Sequence, residues 1–371
     1  MAGLIVLGSL GFLVFAGVIF LNTSPEFGGK ADDAQKSRFA ETGRYREGKF
    51  ETQIPTSMDL GIAEYPRLML EFLRGTPNAR PAEPLPVDAI DASELAERNA
   101  QMTRLRWLGH SAVLLEAAGK VILLDPMLGP SPAPHPWLGG KRFGALPIEA
   151  DKLSHIDAVL ISHDHYDHLD YGSIVKLKEK TDHFYVPLGV GAHLEAWGVK
   201  QEKIHEMAWG DEVQQDGFTF ISTPARHFSG RGLLDRNHTL WCSWVINTPT
   251  TKLYFSGDSG YGPHFREIGV QHGPFDFAMI ECGQYDLRWE AIHMLPEQSV
   301  QAALDLRARQ MMPIHWGAFV LSLHSWTDPV ERATQEALRK EVAITTPRIG
   351  QVVDIKLERF PKSRWWEALN P

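Results

Sequence analysis

Four potential metal ligands, His163, His165, Asp167 and His168, fall within one short loop, Ser162-His163-Asp164-His165-Tyr166-Asp167-His168. Imidazole nitrogen suits zinc and related ions, and a carboxylate supplies the charge that offsets a divalent cation. His163 and His165 are two residues apart, so in extended backbone both side chains point to one side. Asp167 and His168 come after the chain begins to turn and are placed to face a second ion. A solvated loop with a chance histidine cluster is the competing reading. The apolar run Ala158-Val159-Leu160-Ile161, which reads as a buried strand ahead of the loop, argues against it.

Three remote residues complete the set, each just past an apolar strand-like run. His227 follows Phe218–Thr223, Asp258 follows Leu253-Tyr254-Phe255, and His315 follows Met311-Met312-Pro313-Ile314. Alone, each reads as an ordinary hydrogen-bonded loop residue. Together with the histidine-rich loop they meet the needs of two cations: His163, His165 and His227 at one, Asp167, His168 and His315 at the other, with Asp258 as the bridge. Three protein ligands and a bridge leave each ion room for a water, as a catalytic site requires. Gly257 and Gly260 are expected to let the backbone approach the ions closely.

The elements that must hold these residues are short. Strands are expected at Leu105–Leu108, Val113–Glu116, Val121–Leu124, Phe184–Val186, Phe218–Ser222, Leu240–Ile246, Leu253–Ser256, Phe277–Ile280 and Met311–Ile314. Helices are expected at Tyr171–Lys180, Leu188–Trp197, Pro296–Arg307 and Val330–Lys340. Runs of strands interrupted by helices, without strict alternation, predict an α/β fold of two packed sheets with helices outside.

A chain of 371 residues accommodates one large domain with extensions. The net charge of −9 argues against nucleic acid as the main partner, since phosphate binding wants a basic face. Cys242 and Cys282 lie in apolar runs and not in a CxxC, so neither a disulfide framework nor a structural zinc site is implied. From Gly3 to Leu21 there is no charged residue, a length that just suffices to span a bilayer as a helix. A single-pass N-terminal membrane anchor is therefore expected over residues 1–22, with a cleaved signal as the rival reading. Residues 23–102 read as a tether, a candidate amphipathic helix over 62–74 and a proline-marked linker. Residues 103–360 form the catalytic domain, and 361–371 a C-terminal tail.

The chain resembles the metallo-β-lactamase-fold hydrolase superfamily, and within it the N-acylphosphatidylethanolamine-hydrolysing phospholipase D-like branch. The resemblance rests on Trp107-Leu108-Gly109-His110-Ser111, Leu124-Asp125-Pro126, Lys141-Arg142-Phe143, Ile161–Asp170 and Asp235–Trp244. It continues through Ser256–Gly262, Gly273-Pro274-Phe275-Asp276 and Pro313–Phe319. It implies a four-layer αββα sandwich with a dinuclear zinc site at one edge, ligated as assigned above. It also implies that Asp125 supports a ligand histidine. Ile292-His293 departs from the Gln-His of animal members, and Leu321–Pro329 and Glu281–Tyr285 also diverge.

Two zinc ions per chain are the expected cofactors, although imidazole and carboxylate also suit iron and manganese. A water held between two divalent ions, its pKa lowered toward about 7, is the expected nucleophile. Asp167 and Asp258 are assigned to catalysis as ligands that orient it, and His293 as a contact to phosphate or leaving group. His110 is placed near the site, and Tyr285, Trp289, Trp316 and Phe319 are expected as apolar walls. Arg142 and Arg226 read either as neutralisers of substrate charge or as surface salt bridges. The expected activity is a membrane-anchored phosphodiesterase of phospholipase D type on N-acylphosphatidylethanolamine-like glycerophospholipids. The alternative keeps the site and changes the substrate to a soluble lactone, ester or cyclic phosphodiester.

Overall fold

The computed structural model describes residues 15, 17–21, 23–56, 61–135 and 137–369. Two sheets stack face to face. One has seven strands in the order β15-β3-β4-β5-β6-β7-β8, with β3 at Thr103–Trp107, β4 at Val113–Ala117, β5 at Lys120–Leu124, β6 at Ile156–Leu160, β7 at Thr181–Pro187, β8 at Ile204–Met207 and β15 at Val352–Asp354. The other has six in the order β14-β13-β12-β11-β10-β9, with β9 at Glu212–Gln215, β10 at Phe218–Thr223, β11 at Ser243–Asn247, β12 at Lys252–Phe255, β13 at Phe277–Glu281 and β14 at Met311–Ile314. A separate small hairpin pairs β1 (Tyr45–Arg46) with β2 (Lys49–Phe50).

Alternation along the strands sorts side chains into layers. Leu115, Ile122, Leu160 and Tyr185 face Phe220, Trp244, Phe255 and Met279 across the inter-sheet core. Outward neighbours Leu114, Leu123, Val159 and Phe184 pack with Ile174, Leu177 and Leu194, which belong to the helices Tyr171–Leu177 and Gly191–Ala196. On the far side, Val245, Tyr254 and Ala278 pack with Phe265, Val300 and Ala333 from His264–Gln271, Pro296–Asp305 and Asp328–Arg339. The result is the αββα sandwich.

Strand direction decides where chemistry can gather. The β3–β4 and β4–β5 pairs are antiparallel and β5–β6 is parallel. In the other sheet β10–β11 and β11–β12 are antiparallel, and β12–β13–β14 are parallel. Hence β3, β5, β6 end at one edge of their sheet, and β10, β12, β14 end together in theirs. The turns at the opposite edge are tight. Ala118 and Gly119 join β4 to β5 with φ of +48° and +78°, the two positive values of a type I′ hairpin whose twist matches the strands.

Two expectations about the termini are revised. Among the described residues no helix is long and apolar enough to cross a membrane, so the expected single-pass anchor is not supported. Of the Gly3–Leu21 run, residues 15 and 17–21 are helical and the rest lies outside the described residues. At the other end, part of the predicted tail belongs to the core. Trp365 and Trp366 are buried with Trp107, Trp316 and Trp326, and the ring of Trp366 stands edge-on to Trp316 at 5.8 Å. The candidate helix over 62–74 is present as a 3-10 turn at Ile62–Glu64 followed by an α-helix at Tyr65–Arg74.

Replacing Trp366, a fully buried ring, leaves a large cavity at the end of the inter-sheet core. The substitution Trp366→Ala is expected to cost about 3–5 kcal/mol of stability, read as a lowered denaturation midpoint with an unchanged denaturant slope.

Candidate metal centre

The loop after β6 is built around Asp125, which caps the end of β5 with a φ of +39°. Its Oδ1 accepts the Ser162 backbone N–H at 2.6 Å, its Oδ2 accepts the Ser162 hydroxyl at 2.5 Å, and Oδ2 lies 2.6 Å from His168 Nδ1. That contact engages Nδ1 with Asp125 and turns Nε2 inward. Gly257, at a φ of +55°, packs on Ser162, where a Cβ would come within 2.5 Å of the serine Cβ. Gly260 packs on the Ala291 carbonyl, 2.2 Å from where its Cβ would sit. Both glycines let loops close on each other, a different use from the predicted close approach to the ions.

His163, His165 and His227 converge. His163 Nε2 lies 2.9 Å from His165 Nδ1, and His227 Nε2 lies 3.2 Å from the same atom. His227 donates Nδ1–H to the Ile292 carbonyl at 2.9 Å, which leaves its Nε2 unprotonated. Burial and the neighbouring imidazoles hold His163 and His227 well below the ordinary histidine range, and burial takes His165 down to about 4. Three neutral imidazoles with nitrogens this close are the donor set of a soft divalent cation.

Asp167, His168 and His315 gather beside them. His168 Nε2 is 3.6 Å and His315 Nε2 is 3.9 Å from Asp167 Oδ2. Asp258 stands between the two groups. Its Oδ2 is 3.8 Å from both His163 Nε2 and His227 Nε2, while its Oδ1 is 3.1 Å from His168 Nε2 and 3.0 Å from His315 Nδ1. Ser111 Oγ also lies 3.0 Å from His315 Nδ1. The seven predicted ligands are therefore brought together, with one carboxylate oxygen of Asp258 turned to each half. His168 Nε2, His315 Nε2 and Asp258 Oδ1 are buried without a hydrogen-bond partner. Buried polar atoms left without partners in a closed site call for a bound group, and this set of nitrogens and carboxylates fits a pair of cations. Burial opposes charge on His168, but Asp258, Asp167 and Asp125 outweigh it and raise the imidazole well above its ordinary value. Burial likewise lifts Asp258 to about 6, against the pull of His168.

The remaining predicted residues divide. His293 sits at the floor of the cavity, its Nδ1 turned inward at 4.0 Å from Asp258 Oδ2 and 3.8 Å from Glu281 Oε1. Its ring stacks on His315 at 5.2 Å. His110 is fully buried and holds Asp167, Nε2 to Oδ2 at 2.8 Å, so it positions a ligand and does not line the cavity. Tyr285 turns away: its hydroxyl hydrogen-bonds Asp328 and accepts from Arg332, and its ring stacks on His324. Trp316 follows His315 on the opposite side of the chain and stacks on Trp107 at 5.2 Å in the core. Neither of these two forms a wall, which corrects that expectation. Phe319 packs on His110 and under the Arg142 guanidinium. Arg142 and Arg226 donate to backbone carbonyls, of Met127 and Gly129 and of Tyr261 and Pro55 respectively, so neither predicted role is theirs. The cavity, of about 290 Å³, has His165, Asp167, Asp258, His293, Gln284 and His315 in its polar floor, with Tyr65, Leu68, Phe228, Trp289, Ile292 and Leu321 around it. Tyr65 and Leu68 come from the candidate amphipathic helix and Leu321 from the divergent stretch after Trp316-Gly317, whereas Phe228 carries no signal in the sequence.

The Beta-lactamase superfamily domain matches residues 120–316 of the chain. An N-acyl-phosphatidylethanolamine-hydrolyzing phospholipase D of Caenorhabditis elegans is 32% identical over 247 residues, covering 63% of this chain and 69% of the nematode protein. The chain belongs to the beta-lactamase superfamily, in its N-acylphosphatidylethanolamine-hydrolysing phospholipase D-like branch. A Mycobacterium tuberculosis protein is 41% identical over 315 residues, covering 84% of each chain. The fold is shared with the isothiocyanate hydrolase from Delia radicum gut bacteria, at 20% identity and a TM-score of 0.53 over 67% of this chain and 98% of that one. The superfamily's metal-dependent hydrolase fold and the ligand clusters thus coincide at one edge of the sandwich.

Two outcomes follow for metal binding. Asp125→Ala frees the His168 ring and is expected to weaken zinc binding about 10–100-fold, measured by competition with a chelating dye. Because the neighbouring carboxylates favour the protonated His168 ring, a zinc ion bound through Nε2 must displace a proton. Affinity is expected to fall as pH is lowered, by about tenfold per unit for one proton released. Calorimetry in buffers of different ionisation enthalpy reads that proton directly, and a flat pH dependence contradicts the assignment.

Proposed function

We propose that the chain is a metal-dependent phosphodiesterase of phospholipase D type, acting on N-acylphosphatidylethanolamine-like glycerophospholipids at a centre of two divalent cations, zinc first among them. The observation that carries this reading is the division of the cavity into a polar, ligand-lined floor and a largely apolar surround. A phosphodiester with acyl chains engages both parts, whereas a small lactone or cyclic diester engages the floor alone. The likeness to the nematode phospholipase D supports the same substrate class.

His163, His165, Asp167, His168, His227, Asp258 and His315 would hold the cations, which would supply Lewis acidity toward the phosphate oxygens and lower the pKa of a water toward about 7. The protein's own groups do the rest. His110 fixes the Asp167 carboxylate through Oδ2, which orients the water that attacks phosphorus. With Nδ1 turned toward Asp258 and Glu281, His293 keeps Nε2 for a phosphate oxygen or the departing alcohol. Trp289, Ile292 and Phe228 exclude bulk water from the diester, which strengthens each polar contact at the floor. The bond broken lies on the head-group side of phosphorus, leaving phosphatidic acid and an N-acylethanolamine.

The purified full chain, supplied with zinc and N-acylphosphatidylethanolamine in mixed micelles, is expected to release phosphatidic acid. Asp258→Ala should abolish turnover together with the second equivalent of zinc. His293→Ala should lower kcat about 10²–10³-fold with zinc content intact. Hydrolysis of a lactone or cyclic diester with no phosphatidic acid from any such lipid would overturn the substrate assignment and leave the metal centre standing.

A further inference from the structure

Arg231 carries a buried charge that the proposed chemistry does not use. It is 4% exposed and makes no ion pair among the described residues. A charge taken out of water is costly unless its donors are satisfied. Here the acceptors are backbone carbonyls. Nη1 donates to the Asp164 carbonyl at 2.6 Å and to the Leu169 carbonyl at 2.8 Å. Those residues bracket the ligand loop, with His165, Asp167 and His168 between them and His163 immediately before. Nε and Nη2 both donate to the Glu26 carbonyl, at 2.8 and 2.6 Å. The guanidinium face covers Tyr166 at 4.1 Å and Trp197 at 5.1 Å.

The far partner is a strap of chain at residues 24–29 that is fastened at several points. Trp197 Nε1 donates to the Pro25 carbonyl at 2.6 Å, and Phe27 stands edge-on to Tyr166 at 6.4 Å. Gly28, at a φ of +73°, lies against His193, where a Cβ would fall 2.2 Å from Nδ1. His193 in turn lies 3.3 Å from Asp164 Oδ2, which also accepts from Thr239 Oγ1 at 2.8 Å. Two routes, one through Arg231 and one through Gly28 and His193, thus tie the strap to the residue between His163 and His165.

We propose that Arg231 is a positioning residue that clamps the N-terminal strap onto the ligand loop and so holds His163, His165, Asp167 and His168 in their binding geometry. The proposal rests on the metal reading of the site. It depends on the planar fork of arginine, which reaches carbonyls on two sides at once. A lysine keeps the charge but offers donors from a single atom.

The test uses the full chain, with zinc and cobalt(II) as probes. Arg231→Lys and Arg231→Met are both expected to weaken zinc binding about 10–100-fold and to alter the visible spectrum of the cobalt-loaded protein. Gly28→Ala, which loosens the strap from the other side, should shift both readouts in the same direction. It keeps the test decisive if an Arg231 variant fails to fold. Arg339→Met, on an outer helix, serves as a control with unchanged binding. Full rescue by Arg231→Lys, or wild-type zinc affinity in Arg231→Met and Gly28→Ala, overturns the clamp alone. A wild-type chain that takes up no divalent cation overturns the metal reading and the clamp with it.

Discussion

Bringing neutral imidazole nitrogens and carboxylate oxygens to within about 3–4 Å of one another in a closed space is unfavourable unless each far atom is restrained. Lone pairs repel, and a free histidine ring would rotate to relieve the conflict. The centre resolves this by occupying the outward atom of several ligands with a protein acceptor or donor. His168 Nδ1 meets Asp125 and His227 Nδ1 meets the Ile292 carbonyl, while His110 pins the Asp167 carboxylate. For the two histidines the contact selects the nitrogen left facing inward. Seven side chains from distant stretches of sequence then converge with their rings and carboxylates already oriented, as outer partners orient the ligands of a metal centre.

That restraint dictates the architecture around it. The residues come from the ends of β3, β5, β6, β10, β12 and β14, in two different sheets. The sandwich must be packed tightly enough that the two edges keep register, which is the work of the aromatic layer from Trp107 to Trp366 between them. Positive φ values at His110, Asp125 and His315 show the chain leaving each strand sharply as it enters the site. His110 also joins the edges directly, since its carbonyl accepts the His315 backbone N–H at 2.9 Å.

Some of this was legible from residue types alone, and the divide is physical. The histidine-rich loop announces itself because ligands adjacent in sequence need no tertiary knowledge. His227, Asp258 and His315 could be proposed because each follows an apolar run, and a polar residue at a strand end has few other places to go. The strands β8, β9 and β15 were not foreseen, since Ile204–Met207 and Glu212–Gln215 are short, largely polar edge segments whose pairing comes from neighbours. Tyr285 and Trp316 show the limit of reading walls from aromatic type. Residue type does not say to which side of the chain a ring beside a ligand turns, and theirs turn to Asp328 and to the tryptophan core. Arg231 left no signal, because carbonyl oxygens and ring faces carry no mark in a sequence. The apolar N-terminal run misled for a related reason: hydropathy records composition, and no described helix there has the length of a span.

The matched superfamily domain covers residues 120–316, and the site's composition changes across that boundary. All seven candidate metal ligands, from His163 to His315, and the supporting Asp125 lie inside it, as do Phe228, Trp289 and Ile292. Tyr65, Leu68 and Leu321 on the cavity rim lie outside, as does the strap at residues 24–29. The shared domain therefore carries the candidate ligands, while flanking segments complete the wall and pack against the ligand loop. Selection on substrate can act on Tyr65–Arg74 and the stretch after Phe319 without disturbing a ligand. A change at residues 24–29 is different, because Glu26 shares a guanidinium with Asp164 and Leu169. Two neighbouring parts of the N-terminal region thus carry separate burdens, one on what enters the cavity and the other on whether the centre beneath it keeps its geometry.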